Sequence, residues 1–223
     1  MRGQFPTPAA VLWDFGGVLT TSPFGAFADY EREQGLPPGF LRRLNATNPD
    51  TNAWAALERG EVTIDEFATL FEEEAAAAGG RVDAHTVLDC LGGQLRPAMV
   101  EALRRCHERL KTGLLTNNFT LAGGGEDPLG YAPVLSMFDV VVESSAAGCR
   151  KPDSKFYEMA CELLAIEPAE AVFLDDLGIN LKPARQMGMR TIKVEDPDLA
   201  IRELEAVVGF RLAGNTGAGA DGP

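Results

Sequence analysis

Short apolar segments recur along the chain in a pattern that predicts the strands of a buried sheet. Each contains three or four residues, too few for a helix, and most are apolar without alternation. Strands of this kind are buried on both faces, as in parallel sheets covered by helices. The five segments are Ala10–Trp13, Gly113–Leu115, Val140–Val142, Ala171–Leu174 and Thr191–Val194.

Segments with helical periodicity lie between or after the later strands. This alternation of strand and helix is typical of an α/β protein with a doubly wound, Rossmann-like parallel sheet, and right-handed crossovers are expected. The predicted helices are Pro97–Leu110, Pro152–Ala165, Asn180–Met187 and Pro197–Val208.

The stretch between the first and second strands breaks that rhythm, because it reads as consecutive helices. We interpret residues 20–95 as a helical cap inserted into a core formed by residues 1–19 and 96–212. The glycine-rich residues 213–223 are expected to be a disordered tail, since they hold no apolar side chain larger than alanine. The cap helices are predicted at Phe24–Gln34, Pro38–Asn45, Asn52–Arg59, Ile64–Ala78 and Ala84–Leu91.

Composition narrows the possible partners. The net charge of -13 opposes binding to nucleic acid, because lysine and arginine are scattered rather than concentrated in a basic patch. No apolar run approaches the roughly 20 residues of a membrane span, and the first residues lack the apolar centre of a secretory signal. We therefore expect a cytoplasmic protein that binds neither nucleic acid nor membrane.

Polar side chains follow three of the predicted strands directly. Asp14 ends the first strand, Thr116 and Asn117 follow the second, and Asp175 and Asp176 follow the fourth. In a parallel sheet these positions emerge at the carboxyl edge, where open α/β sheets bind ligands. Lys151 can reach the same crevice from a loop.

This set of groups fits a covalent transfer in which a carboxylate attacks and water then hydrolyses the resulting ester. Asp14 is the predicted nucleophile. A phosphate among carboxylates needs positive charge, which Mg²⁺ on Asp14 and Asp176 and the ammonium of Lys151 would supply. Thr116 and Asn117 are expected to hold oxygens of the transferring group.

The segments WDFGGVL, LLTNN, GCRKPD and FLDDLGIN resemble, in this order, the four motifs of the haloacid dehalogenase superfamily. The segment from Phe173 to Val194 and the cap look especially like the N-terminal phosphatase domain of soluble epoxide hydrolases and its relatives fused to acyl-CoA dehydrogenases. The resemblance implies a Mg²⁺-dependent phosphatase acting on a small phosphorylated molecule.

Carried over by position, the resemblance implies a role for each motif residue. Asp14 would be the nucleophile, with Thr116 and Lys151 as the other catalytic residues. The metal ligands would be Asp14, Asp176 and the backbone carbonyl of Gly16, supported by Asp175 and Asn180, and substrate would lie against Asn117, Gly16 and Gly17.

One motif position departs from the family pattern. Family phosphatases carry a second aspartate two residues after the nucleophile as general acid and base, and this chain has Gly16 there. Three interpretations stay open: a phosphatase with a replacement acid or altered substrate range, a non-phosphatase hydrolase such as a dehalogenase, or a weakened phospho-ligand binding protein. Retention of Asp175 and Asp176 argues against a dehalogenase.

The cap offers titratable side chains but no lysine, since Lys111 is the first lysine of the chain. A phosphonatase mechanism through a cap lysine is therefore excluded. Asp50, Glu58 and His85 are candidates for a replacement acid or base only because they are titratable and lie in the cap. Oligomeric state and natural substrate do not follow from the sequence.

Overall fold

A computed structural model describes residues 6–118 and 130–214 of the chain. Most of the predicted tail therefore lies outside the described residues. Five parallel strands form one sheet in the order β3-β2-β1-β4-β5. The strands are β1 Ala10–Trp13, β2 Lys111–Thr116, β3 Val140–Glu143, β4 Ala171–Asp175 and β5 Arg190–Lys193.

Helices cover both faces of the sheet. Val11 and Trp13 of β1 belong to one apolar cluster and Ala10 and Leu12 to another, because successive side chains of a strand point to opposite faces. The predicted α/β fold with a Rossmann-like parallel sheet is confirmed. The core helices are α6 Pro97–His107, α7 Ala132–Leu135, α8 Ser144–Ala147, α9 Ser154–Leu164, α10 Gly178–Gln186 and α11 Pro197–Val208.

Five helices between β1 and α6 pack around an apolar cluster of their own, which includes Phe67 and Phe71. They are α1 Phe24–Glu33, α2 Phe40–Ala46, α3 Ala53–Glu58, α4 Ile64–Ala77 and α5 Ala84–Asp89. The two segments that join them to the core run antiparallel, with Thr20 paired to Leu95. These features support the proposed division into a core and a cap of residues 20–95.

Local sequence signals explain where several cap helices begin. At α4, Thr63 accepts a hydrogen bond from the backbone of Glu66, and the Glu66 side chain accepts one from the backbone of Thr63, so the two residues form a capping box. Asn52 caps α3 in a similar way through the backbone N–H of Ala55. The helix that carries Glu58 therefore has a defined start.

The strand order places the crevice. From β1 the chain moves to β2 and β3 on one side and then crosses to β4 and β5 on the other. Such a reversal opens a crevice at the carboxyl ends of the two strands that flank it, here β1 and β4. Asp14 and Asp175 stand at these two ends.

Candidate active site

Two carboxylates share one buried ammonium at the centre of the crevice. The Nζ atom of Lys151 lies 2.8 Å from Oδ1 of Asp14 and 2.8 Å from Oδ2 of Asp175. The lysine is 1% exposed and comes from the loop between α8 and α9. From this loop its side chain contacts the carboxylates at the ends of two strands, as the sequence predicted. Its charge is compensated inside the protein rather than by water.

Asp14 is held at the start of a tight turn. The residue is extended, and its Oδ1 accepts a 2.7 Å hydrogen bond from the backbone N–H of Phe15. Burial, opposed by Lys151 and reinforced by Asp175, raises the pKa of Asp14 to about 7. The fold thus keeps a poorly hydrated carboxylate beside a single cation.

Asp175 is fully committed to contacts with the protein. Besides Lys151, its carboxylate accepts hydrogen bonds from Nδ2 of Asn180 at 3.0 and 3.1 Å and from the backbone N–H of Leu177 at 2.8 Å. The backbone carbonyl of Asn180 in turn accepts a hydrogen bond from the hydroxyl of buried Tyr157. Asn180 therefore holds Asp175, and Asp175 orients the lysine.

Asp176 completes a group of carboxylates that suits a hard cation. One oxygen each from Asp14, Asp175 and Asp176 lies within 4.8 Å of the others. Burial and then the neighbouring Asp175 raise the pKa of Asp176 to about 6. Since Mg²⁺ prefers oxygen ligands, and Asp175 is already engaged, the donor set fits a metal held mainly by Asp14 and Asp176.

The two glycines after Asp14 differ in the space around them. Gly17 has a positive φ of 78°, and a Cβ added there would lie 2.3 Å from Oδ2 of Asp176. Only glycine allows this close approach. Gly16 is exposed, has φ -68° and ψ 129°, and has no atom within 4 Å of an added Cβ. The position of the missing aspartate is therefore open space.

The second strand brings a hydroxyl and an amide to the same edge. Thr116 is buried at the end of β2, next to β1. The side chain of Asn117 holds the backbone of Lys151 from both sides, since Oδ1 accepts from its N–H at 2.8 Å and Nδ2 donates to its carbonyl at 2.9 Å. The side chain of Asn117 thus fixes the lysine loop.

Two partners of the site were not predicted from the sequence. Arg150, directly before Lys151, forms an ion pair with Glu58 of the cap, and Tyr157 bonds Asn180. A signal existed for the tyrosine, because a buried Tyr hydroxyl usually needs a partner. Of the three cap candidates, Glu58 reaches core residues, whereas Asp50 is exposed and His85 lies 3.7 Å from Asp65 on the surface.

Comparison with known proteins gives one family and several relatives. Residues 8–188 match the family model described as haloacid dehalogenase-like hydrolase. The chain is 36% identical over 213 residues to acyl-CoA dehydrogenase family member 10 of Mus musculus, covering 91% of this chain and 19% of that protein. It is 33% identical to bifunctional epoxide hydrolase 2 of Sus scrofa, covering 91% and 39%. The chain thus spans well under half of both relatives.

A third relative matches over almost its whole length. The sesquiterpene phosphatase astK of Aspergillus oryzae is 34% identical over 203 residues, which cover 90% of this chain and 96% of that protein. A phosphatase of similar size is therefore among the relatives of this chain.

Solved structures share the fold at lower identity. A haloacid dehalogenase family enzyme of Bacteroides thetaiotaomicron, in complex with magnesium and inorganic phosphate, aligns with a TM-score of 0.56 and 20% identity, covering 85% of this chain and 96% of that one. The L-2-haloacid dehalogenase of Xanthobacter autotrophicus with covalently bound chloropropionic acid aligns with a TM-score of 0.57 and 18% identity, covering 93% and 85%. The fold alone does not separate the two chemistries.

Proposed function

The chain belongs to the haloacid dehalogenase-like hydrolases, and on that premise we propose that it is a Mg²⁺-dependent phosphatase of a small phosphorylated molecule. The observation that carries the proposal is the contact of Lys151 with both Asp14 and Asp175, with Asp176 beside them. A nucleophile, a cation for phosphate oxygens and a metal carboxylate then share one crevice.

In the proposed reaction, Asp14 attacks the phosphorus of a phosphate monoester. A bond forms between its carboxylate oxygen and phosphorus, and the bond from phosphorus to the ester oxygen breaks. Water then attacks the phosphorus of the aspartyl phosphate, which releases inorganic phosphate and restores the carboxylate. Lys151 orients Asp14 and draws phosphate oxygens toward the crevice.

Three groups of the chain would hold the metal. Those are Asp14, Asp176 and the backbone carbonyl of Gly16. Bound Mg²⁺ would neutralise phosphate charge among the carboxylates. Thr116 and the backbone N–H of Asn117 are proposed to hold oxygens of the transferring phosphoryl group, which carries its charge on three equatorial oxygens. The side-chain amide of Asn117 donates instead to Lys151 and Glu58.

Gly16 sets the substrate range that we propose. Without an aspartate there, the leaving oxygen takes its proton from solvent, which an alkoxide tolerates poorly and a phenolate tolerates well. General acid catalysis contributes about 10²–10⁴ in rate, so alkyl phosphates suffer most. Aryl and acyl phosphates are therefore the substrate types best suited to this site.

Gly16 also favours a second candidate, a phospho-ligand binding protein with little turnover. One assay separates the two. Release of phosphate from an aryl phosphate is measured with Mg²⁺, with EDTA, and with the Asp14→Asn variant. The phosphatase loses several orders of magnitude in rate in the variant and most of its activity in EDTA. Phosphate release that is unaffected by Asp14→Asn overturns the proposed nucleophile, and no release by the wild type favours the binding protein.

A further inference from the structure

A largely buried carboxylate of the cap, that of Glu58 at the end of α3, contacts the core. Its Oε1 accepts a 3.1 Å hydrogen bond from the indole N–H of Trp54 on the same helix. Its Oε2 accepts a 3.3 Å hydrogen bond from Nδ2 of Asn117 and forms an ion pair with Arg150. Both partners belong to the core. Only 12% of the Glu58 side chain and 17% of the Arg150 side chain are exposed.

Both core partners of Glu58 control the backbone of Lys151. Arg150 precedes the lysine in the chain and also donates to the carbonyl of Pro49 in the cap, so two cap groups hold it. Asn117 brackets the lysine backbone with one accepted and one donated hydrogen bond. A short path of contacts therefore leads from the cap carboxylate to the ammonium beside Asp14.

The contacts of Glu58 with Arg150 and Asn117 form a joint between cap and core. Beside this joint, the backbones of cap and core approach closely. A Cβ added at Gly60, two residues after Glu58, would lie 2.6 Å from the carbonyl oxygen of Ser145 in α8. Helices α3 and α8 are in contact. The cap is thus docked against the helix that leads into the Lys151 loop, and separation of the two would take Glu58 away from Arg150 and Asn117.

We propose that Glu58 is a positioning residue, which fixes Lys151 beside Asp14 through Arg150 and Asn117 when the cap is docked. The proposal rests on the proposed function, in which Lys151 orients the nucleophile and the phosphate. Docking of the cap would then complete the site rather than only cover it.

A different role for Glu58 is that of the acid missing at Gly16. Burial raises the pKa of Glu58 while Arg150 opposes the rise. However, three donors already converge on its two oxygens, and this arrangement stabilises the ionised carboxylate. The contacts favour a fixed anion over a proton donor, and the two roles differ in their effect on substrates.

The test compares Glu58→Gln with Glu61→Gln. Glu61 is a matched control, because it forms an ion pair with Arg59 on the same cap edge but outside the joint. Glu58→Gln replaces one carboxylate oxygen by an amide N–H₂ group, which cannot accept a hydrogen bond from Trp54, Asn117 or Arg150. We expect kcat to fall roughly 10- to 100-fold, equally for aryl and alkyl phosphates and more than KM changes, with no change in Glu61→Gln.

A double-mutant cycle tests the path through Arg150. The Arg150→Gln variant removes the core partner of the ion pair with Glu58. Circular dichroism verifies that each variant is folded. If Glu58 acts through Arg150, the double variant loses little more activity than either single variant. Losses that multiply, or a loss confined to alkyl phosphates and the alkaline limb of the pH profile, overturn the positioning role.

Two measurements need no turnover and so separate this inference from the proposed function. The chain has two tryptophans, and Trp13 is fully buried in β1, so a change in emission reports mainly on Trp54. Glu58→Gln should shift emission to the red and weaken orthophosphate binding with Mg²⁺ about tenfold, and Glu61→Gln should change neither. If the wild type hydrolyses no ester, phosphate binding still tests whether Glu58 positions Lys151. An unchanged phosphate affinity in Glu58→Gln overturns the inference whatever the emission does, because Trp54 contacts Glu58 directly and reports only on that contact.

Discussion

At the scale of single residues, Asp14 is a carboxylate placed where burial opposes its charge. Lys151 is the cation that contacts it, and burial of that ammonium is outweighed by Asp14 and Asp175, which raise the pKa of Lys151 above its ordinary value. The ionised form of Lys151 and that of Asp14 therefore stabilise each other. The strand-end pattern was enough to predict Asp14, whereas Lys151 was predicted from a loop and from the resemblance to the family motif. The direct contact of the two residues depends on the path of that loop between α8 and α9, which carries no periodic signal.

The open space at Gly16 leads to a prediction about the missing acid. Gly16→Asp should fold normally, since an added Cβ meets nothing within 4 Å, and should raise turnover of alkyl phosphates by up to about 10²–10⁴ while aryl phosphates change less. Steady-state kinetics on both substrate types measure the ratio. Gly16→Asn is the control, because it has nearly the same shape without an acid. Equal gains in both variants would contradict the explanation.

At the scale of elements, all five strands were predicted within about two residues, because buried parallel strands leave a strong apolar signal. Helices α7 and α8 were missed, since four residues are too few to show helical periodicity. The large apolar side chains of α4 divide between the cap core and the surface. Phe67 and Phe71 are buried, whereas Ile64 and Leu70 are 39% and 41% exposed. Which cap carboxylate faces the core was likewise invisible, because spacing within a helix does not give its orientation.

The acidic run Glu72–Glu74 of α4 contacts two neighbouring helices of the cap. Glu74 accepts a 2.8 Å hydrogen bond from the backbone N–H of Ala53 at the start of α3, and Glu72 accepts one from Ala84 at the start of α5. The carboxylates cap neighbouring helices rather than their own. An N–H left without an intrahelical partner is thereby satisfied.

This capping role predicts a loss of stability. Glu74→Ala should lower the free energy of unfolding by about 1 kcal/mol, because α3 loses an acceptor at its first turn. The measurement is urea unfolding followed by circular dichroism. Glu73→Ala removes an exposed carboxylate from the same run and makes the same change in helix propensity. If the two variants are equally stable, the contact between Glu74 and Ala53 does not contribute.

At the scale of the whole molecule, no helix among the described residues combines the length and apolarity needed to cross a membrane. The charge balance of the site then dominates the behaviour of the folded chain. Three carboxylates meet one ammonium within a few ångströms. The metal-free protein therefore holds excess negative charge at its centre, which either protons or Mg²⁺ can offset.

A pH dependence of stability follows for the metal-free protein. The pKa values of Asp14 and Asp176 are raised from 3.8 to about 7 and about 6, so between pH 4 and pH 7 the folded state binds more protons than the unfolded state. Stability is then full at the acidic end of this window and is lost as pH rises through the folded pKa values. Thermal unfolding in EDTA should show a lower Tm at pH 8 than at pH 5.5.

Two controls belong to this experiment. Added Mg²⁺ should raise Tm more at pH 8 than at pH 5.5, because protons compete with the cation for the same carboxylates. Asp176→Asn should flatten the pH dependence in EDTA, since it removes one of the two raised groups. A Tm in EDTA that rises between pH 5.5 and pH 8 would show that the site does not carry this charge imbalance.

The measurement that tests the central claim most directly is the mass of the protein quenched in acid during turnover of an aryl phosphate with Mg²⁺. We expect one added phosphoryl group, located at Asp14 by peptide mapping in the wild type and in an Asp50→Asn control. The Asp14→Asn variant should show neither the added group nor phosphate release. A phosphoryl group on another residue, or phosphate release by Asp14→Asn at the wild-type rate, would contradict the role of Asp14 as nucleophile.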